Sequence, residues 1–154
     1  MLRQIPQANQ AHAHRMLQCL VVAVRPLRVE ELAELLAFEF DGAPGEIPKY
    51  RPGLRVDDQT QAVLSTCSSL VTTIDEWYSY GRRRRHRSFR RIVQFSHFSV
   101  KEFLLSNRIA PSPGDIPQYQ IRLGPAHTTL TQACLGLLLH SDDDFMVKRS
   151  PLAD

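Results

Sequence analysis

Apolar residues recur at three- and four-residue steps along the first part of the chain. Between Asn9 and Val24, Ala13, Leu17, Leu20, Val21 and Val24 form one stripe, which predicts an amphipathic helix. Arg25-Pro26 ends it, because proline lacks a backbone N–H and restricts the residue before it. Leu27-Arg28 leave room for only a very short extended piece. A second helix is expected from Val29 to Phe38, with Val29, Leu32, Leu35 and Leu36 on one face. Glu30 and Glu31 lie in its first turn, where negative charge suits the helix dipole. Gly42, Pro44, Gly45, Pro48, Pro52 and Gly53 make residues 41–57 a long irregular loop. Asp58 with Gln61 fits a capping box that opens a third helix to about Ser69, with Val63, Leu64 and Cys67 on one side.

The pattern then changes period. Leu70 to Ile74 is β-branched and reads as a strand. An arginine-rich loop follows, and residues 91–97 return as the second strand of a hairpin, with Val93 and Phe95 alternating with Gln94 and Ser96. The strand runs directly into a helix from Val100 to about Asn107. Ser99 and Glu102 fit a capping box at this corner, and Phe98 and Phe103 flank it as a hydrophobic staple. His97 sits at the junction. Pro111, Pro113, Gly114 and Pro117 read as a linker. Beyond it, Leu130, Ala133, Cys134, Leu137 and Leu138 make a further amphipathic helix over residues 126–140.

Helix, short strand, helix, helix and hairpin is the order of a winged helix. The expected fold is therefore α+β and mostly helical, with three helices plus a β-hairpin wing over residues 1–108. Residues 109–120 are expected to be a linker and residues 121–154 the start of a following helical segment. The helix over 126–140 has no obvious partner in the tail. Either the sequence continues in a larger protein, or this helix packs back on the first domain.

Composition changes this picture little, and charge changes it at one place. At 154 residues, 43% hydrophobic and 23% charged, the chain has the balance of an ordinary folded cytoplasmic protein. No apolar run reaches the ~18 residues of a membrane span, and the N-terminus has no secretory signal. Cys19, Cys67 and Cys134 are scattered, odd in number and set in apolar patterns, which fits buried free thiols. The net charge is +3, but seven arginines lie between positions 82 and 91, and without them it becomes −4. The basic charge thus belongs to one loop.

Catalytic motifs are absent. The sequence has no phosphate-cradling P-loop, no G-x-G-x-x-G, no G-x-S-x-G and no zinc spacing. His12 and His14 fall on different helix faces, and Asp142-Asp143-Asp144 lacks the glycine turn and distal glutamate of a calcium loop. Ser96, His97 and Ser99 have no third group to orient a base. No enzymatic activity, metal or cofactor is expected of this chain. Arg82, Arg83, Arg84, Arg85, Arg87, Arg90 and Arg91 read either as a solvated hairpin tip or as a wing that grips phosphates. Acidic lipids or an import receptor are a third possibility. The third helix weighs against DNA, since residues 57–69 hold no Lys or Arg and open with two acids. Nucleic acid is accordingly the less favoured partner.

Three segments carry a family likeness. They are His14 to Leu36, the run Val93-Gln-Phe-Ser-His-Phe-Ser-Val-Lys-Glu-Phe-Leu, and Ala126 to Leu139. Together they resemble the winged-helix region, of the GPI inositol-deacylase type, that follows the NACHT module in fungal NLR-like proteins. Those proteins often end in ankyrin repeats. The likeness covers nearly the whole chain, and the run around His97 is its most specific part. It implies a non-catalytic regulatory module of a signal-transduction NTPase, coupling a nucleotide module to C-terminal repeats. Plausible settings are innate immunity and non-self recognition in an oligomerising parent. ADP or ATP with Mg would be bound only by the intact parent, whose P-loop is absent here. In related receptors a winged-helix histidine reaches the β-phosphate of ADP, and His97 occupies the matching place. The alternative for His97 is a local cap that bonds nearby backbone. The arginine-rich wing is not part of the family pattern. The alternative function is a small DNA-binding winged helix that uses Arg82–Arg91.

Overall fold

A computed structural model of the chain describes residues 2–40, 42–43, 45–80 and 86–147. For residues 68, 78–80, 86–88 and 142–147 the backbone course alone is considered. Helix α1 spans Gln10–Val22, β1 Leu27–Arg28 and α2 Val29–Ala33, the last continued by a 3-10 turn to Ala37. Strands β2 (Phe38–Glu39) and β3 (Lys49–Tyr50) follow, then α3 (Gln59–Cys67), β4 (Val71–Tyr80), β5 (His86–Phe95), α4 (Phe98–Leu105) and α5 (Leu123–Val147). The fold is α+β and mainly helical, with small antiparallel sheets.

Helix α1 ends two residues earlier than its apolar stripe predicts. Ala23 is already extended, its N–H bonding Cys19 O at 2.9 Å, so Val24 stands fully in solvent. Glu31 holds the turn that follows. It takes both arms of Arg25 at 2.6 and 2.9 Å and the Arg28 N–H at 2.9 Å, so one carboxylate ties the end of α1 to the start of α2. The Arg25 hydrogen bond holds its carboxyl below the usual range. Asp58 opens α3 as expected, accepting from the Gln61 N–H at 2.9 Å.

The expected loop at 41–57 contains structure. β2 and β3 pair antiparallel, Phe38 opposite Tyr50 and Glu39 opposite Lys49. Buried Glu34 anchors them by accepting from the Tyr50 hydroxyl and from Arg55, whose Nε lies at 3.0 Å. Burial and that hydrogen bond push the Tyr50 phenol up to about 12.

Strand order in the larger sheet is β1-β5-β4, all antiparallel. β1 pairs with β5 only at Val93 and Ile92, whereas β4 and β5 pair over ten residues each. One core runs through the molecule. Met16, Leu17, Leu32, Val63, Val93, Leu104, Ile109 and Tyr119 are fully buried, and burial of each large apolar side chain is worth about 1.5–3 kcal/mol.

One expectation fails against this core. Residues 109–120 are not a free linker, because Ile109 and Tyr119 fill core positions and Ile121 N–H bonds Leu104 O at 2.9 Å. The last helix takes the second of its two expected courses and packs back on the first domain. Leu130 and Leu137 of α5 pack against the core, Ala126 and Ala133 are buried in it, and the helix lies along α1. Gly136 permits a close approach, since a Cβ there would stand 2.6 Å from the Phe38 ring. Cys134, Leu135, Leu138 and Leu139 consequently face outward, so Cys134 is not the buried thiol its pattern predicts. Cys19 and Cys67 are buried, and burial pushes both thiols up to about 12.

Candidate functional site

The described candidate residues fall in two groups along one β-ribbon, His97 just past its inner end and Arg90 and Arg91 midway along it. The strands are much longer than β-propensity alone predicts. Asp75 lies opposite Arg91, Glu76 opposite Arg90 and Trp77 opposite Phe89. The expected arginine loop is therefore partly strand. Arg87, Arg90 and Arg91 belong to β5, where acids at mirrored positions of β4 favour pairing over a mobile turn. Arg91 bonds Asp75 at 2.7 and 3.2 Å, and its guanidinium holds the Asp75 carboxyl below its usual range. Arg90 pairs with Glu76. Arg82, Arg83, Arg84 and Arg85 lie outside the described residues, as does the side chain of Arg87.

Beyond the level of Ile92 the sheet has two strands. This outer part of the ribbon carries an aromatic pair. The Trp77 and Phe89 rings are 5.3 Å apart and tilted by 56°, with the Arg91 guanidinium 5.8 Å from the Phe89 ring. Trp77 is 68% exposed and Phe89 45%. The sequence reading missed this pair. Its signal was a set of sequence positions mirrored about residue number 83, acids and an aromatic on one arm facing arginines and an aromatic on the other.

At the inner end, the Ser96 N–H and hydroxyl both bond Leu70 O, at 2.9 and 3.2 Å, and close the ribbon. His97 then caps α4. Its Nδ1 accepts from the Ser99 N–H at 3.2 Å, and the Ser99 hydroxyl lies 2.7 Å from the same nitrogen. This corrects the expected corner. His97 is the N-cap, and Phe98 is already the first helical residue. Ser99 therefore falls two positions too late to cap, and Glu102 falls two positions past the one that reaches back. Glu102 is exposed. Phe98 and Phe103 form no staple. Phe98 is 70% exposed with its ring centroid 4.3 Å from that of His97, and Phe103 is also exposed. With Nδ1 accepting, a neutral His97 ring carries its proton on Nε2, the nitrogen directed away from the cap.

The two ends are separate sites. Along an extended strand, Arg90 to His97 spans roughly 20 Å, so no single small ligand joins them. An open cleft of about 820 Å3 lies between residues 39–49 and the first turns of α5. Its acids have local partners, Glu39 with Arg51 at 3.0 Å and Glu46 with the Ala43 N–H at 3.1 Å. Among the described residues, no three His, Cys, Asp or Glu side chains converge to hold a metal ion. No described helix is long and apolar enough to cross a membrane.

No protein-family model matches the chain, and no solved structure does. The chain is similar to the azaphilone pigments biosynthesis cluster protein L of Monascus ruber. The two are 28% identical over 145 residues, which cover 90% of this chain and 28% of that protein. The chain thus spans a little over a quarter of that relative's length.

Proposed function

We propose that the chain is a winged-helix module of a fungal NLR-like signal-transduction NTPase. Its role is regulatory and non-catalytic. It packs against a NACHT-type nucleotide module and passes the state of that module to C-terminal repeats. The observation that carries this reading is the element order α1-β1-α2-β2-β3-α3-β4-β5, in which the β2–β3 pair is set between the second and third helices, closed by a sheet of order β1-β5-β4. The arrangement of His97 supports the phosphate-sensing part. Its Nδ1 is occupied by the cap, so the ring is oriented and its Nε2–H is the donor left for a phosphate oxygen. The similarity to a segment of a longer fungal protein is in keeping with a module used inside a larger chain. The whole protein, not this segment, would bind ADP or ATP with Mg and form the oligomer.

The alternative, duplex-DNA binding led by α3, has less support. Helix α3 carries no Lys or Arg and follows Asp57 and Asp58, and Arg90 and Arg91 of the ribbon already pair with acids.

The first experiment reads the transcript on both sides of this reading frame. An upstream P-loop module and downstream repeats are expected. In that full protein, His97→Ala should speed ADP release about tenfold or more, the scale of one lost charge-assisted hydrogen bond. A transcript with stops on both sides, or ADP release indifferent to His97, would overturn the reading.

A further inference from the structure

Strand order β1-β5-β4 leaves β4 at the edge of the larger sheet. The bond from Ser96 N–H to Leu70 O, at 2.9 Å, fixes the phase of its ladder. Thr72–Gln94, Ile74–Ile92 and Glu76–Arg90 are the pairs that exchange backbone bonds with β5, so the N–H and C=O groups of Val71, Thr73, Asp75 and Trp77 point the other way. Among the described residues these four have no backbone partner on that side. Sheet edges are usually blunted by lysine, proline or a bulge. Residues 71–77, Val-Thr-Thr-Ile-Asp-Glu-Trp, hold no lysine and no proline, and their pairing with β5 is unbroken. Their two acids are already neutralised by Arg91 and Arg90. Ile74 and Trp77 are exposed on this strand. We propose that the β4 edge is an interface between two copies of the chain, paired antiparallel about a two-fold axis at Ile74.

In that register the strand is complementary to its own reverse. With Ile74 opposite Ile74 of the second copy, each Thr73 faces Asp75, each Thr72 faces Glu76 and each Val71 faces Trp77. A threonine hydroxyl donates to a carboxylate, which has more acceptor sites than one arginine fills, and a β-branched side chain packs on an aromatic ring. The backbone phase agrees. Outward residues fall opposite outward residues, Thr73 with Asp75 and Val71 with Trp77, so ladder bonds form at those pairs. Ile74 then makes the close, non-hydrogen-bonded pair at the axis. Neighbouring registers of the same phase lose this match. Sliding one way puts Asp75 opposite Asp75 and then Glu76 opposite Glu76, and like charges directly opposite oppose pairing. Sliding the other way sets Asp75 against Val71 and Glu76 against Leu70. A strand of any other protein could use the backbone groups, but the side-chain match selects a second copy. A contact along one strand is small, so the dimer is a weak one. This inference does not rest on the signalling role, which depends on His97.

The full chain is followed by sedimentation velocity over a concentration series, with circular dichroism as the check on folding. A monomer–dimer equilibrium is expected. Ile74→Lys sets two cations across the axis at an exposed position, and should weaken dimerisation about fivefold or more with the monomer still folded. Leu138→Glu, on the exposed row of α5, should leave the equilibrium unchanged. Crosslinking reads the register, in a Cys134→Ser background that removes the exposed native thiol. Ile74→Cys brings two Cα atoms to about 4.5 Å, within disulfide reach, and should crosslink under copper–phenanthroline oxidation. Thr72→Cys is displaced from its own counterpart by roughly 14 Å along the strands and should not. The proposal is overturned if the chain stays monomeric across the series, which would leave the edge to a strand of another protein. It is also overturned if Ile74→Lys dimerises like the wild type, or if Thr72→Cys crosslinks as readily as Ile74→Cys. Dissociation by Leu138→Glu alone would move the interface to α5 and overturn it as well.

Discussion

Two antiparallel ribbons in this protein are held in opposite ways. β2–β3 has only two residue pairs, yet its Phe38–Tyr50 pair is packed into the body. Phe38 is 2% exposed, its ring 5.1 Å from Tyr50, which in turn lies 4.8 Å from His140 of α5, and Glu34 grips Tyr50 from beneath. β4–β5 has ten pairs, and the described side chains of its outer half are held mainly by cross-strand contacts. The number of ladder pairs therefore says little about rigidity. Burial fixes the short ribbon, and the long one stays accessible because nothing in the described fold covers its aromatic pair.

The contrast can be broken by substitution. Phe38→Ala should cost the most, about 3–5 kcal/mol, because it empties a buried site shared by β2, β3 and α5. Urea unfolding followed by circular dichroism would show it. Glu34→Ala comes next, at about 1.5–3 kcal/mol, since it removes a charged acceptor and leaves the Tyr50 hydroxyl without its partner. The Arg55 partner is half exposed and adds little. Trp77→Ala should cost less than about 1.5 kcal/mol, the value of an exposed aromatic pair. A loss as large as that of Phe38→Ala would mean the outer ribbon is structural, and the distinction would collapse.

Acid should separate the same regions with the smallest effect. His14 lies on α1, its ring edge-on to Tyr119 at 6.2 Å, and burial lowers its pKa from 6.5. The unfolded chain therefore binds this proton more readily. The associated stability is present above pH 6.5 and is lost as pH falls through the lower folded value. Asp75 is also lowered, from 3.8, by Arg91, so the ribbon keeps that support until pH falls below 3.8. Melting midpoints should begin to drop near pH 6.5, and His14→Gln should flatten that fall. Trp77 emission should hold steady across the same range. Parallel loss of both signals would show that the ribbon and the body titrate together.

Much of the fold was legible because its signals are local. The stripes on α1, α2 and α3 and the Asp58 cap need only their own neighbours. The failures were all questions of partnership. Prolines and a glycine between 111 and 117 read as a linker because chain composition does not reveal that Ile109 and Tyr119 reach a core built by distant helices. The arginine run read as a loop because each residue was weighed alone, while its acids stood at mirrored positions on the other arm. At the corner, a serine three residues before a glutamate has the spacing of a cap. A histidine two residues before that serine's own N–H did the work instead, which shifted the helix start and exposed both phenylalanines. Of the candidate site, His97 and the basic charge could be seen in the sequence, but the Trp77–Phe89 pair needed the strand register.

Gly136 has a consequence beyond close packing. A helix lying against a smooth surface can roll about its axis and present any side to its surroundings. Here the missing side chain seats α5 on the edge of the Phe38 ring in one orientation, like a key in a keyway. Rolling the helix by one residue would drive a side chain into that ring. The glycine therefore decides which leucines the helix shows the outside world, and Leu135, Leu138 and Leu139 form an outward row whose position is dictated from the far side of the same helix.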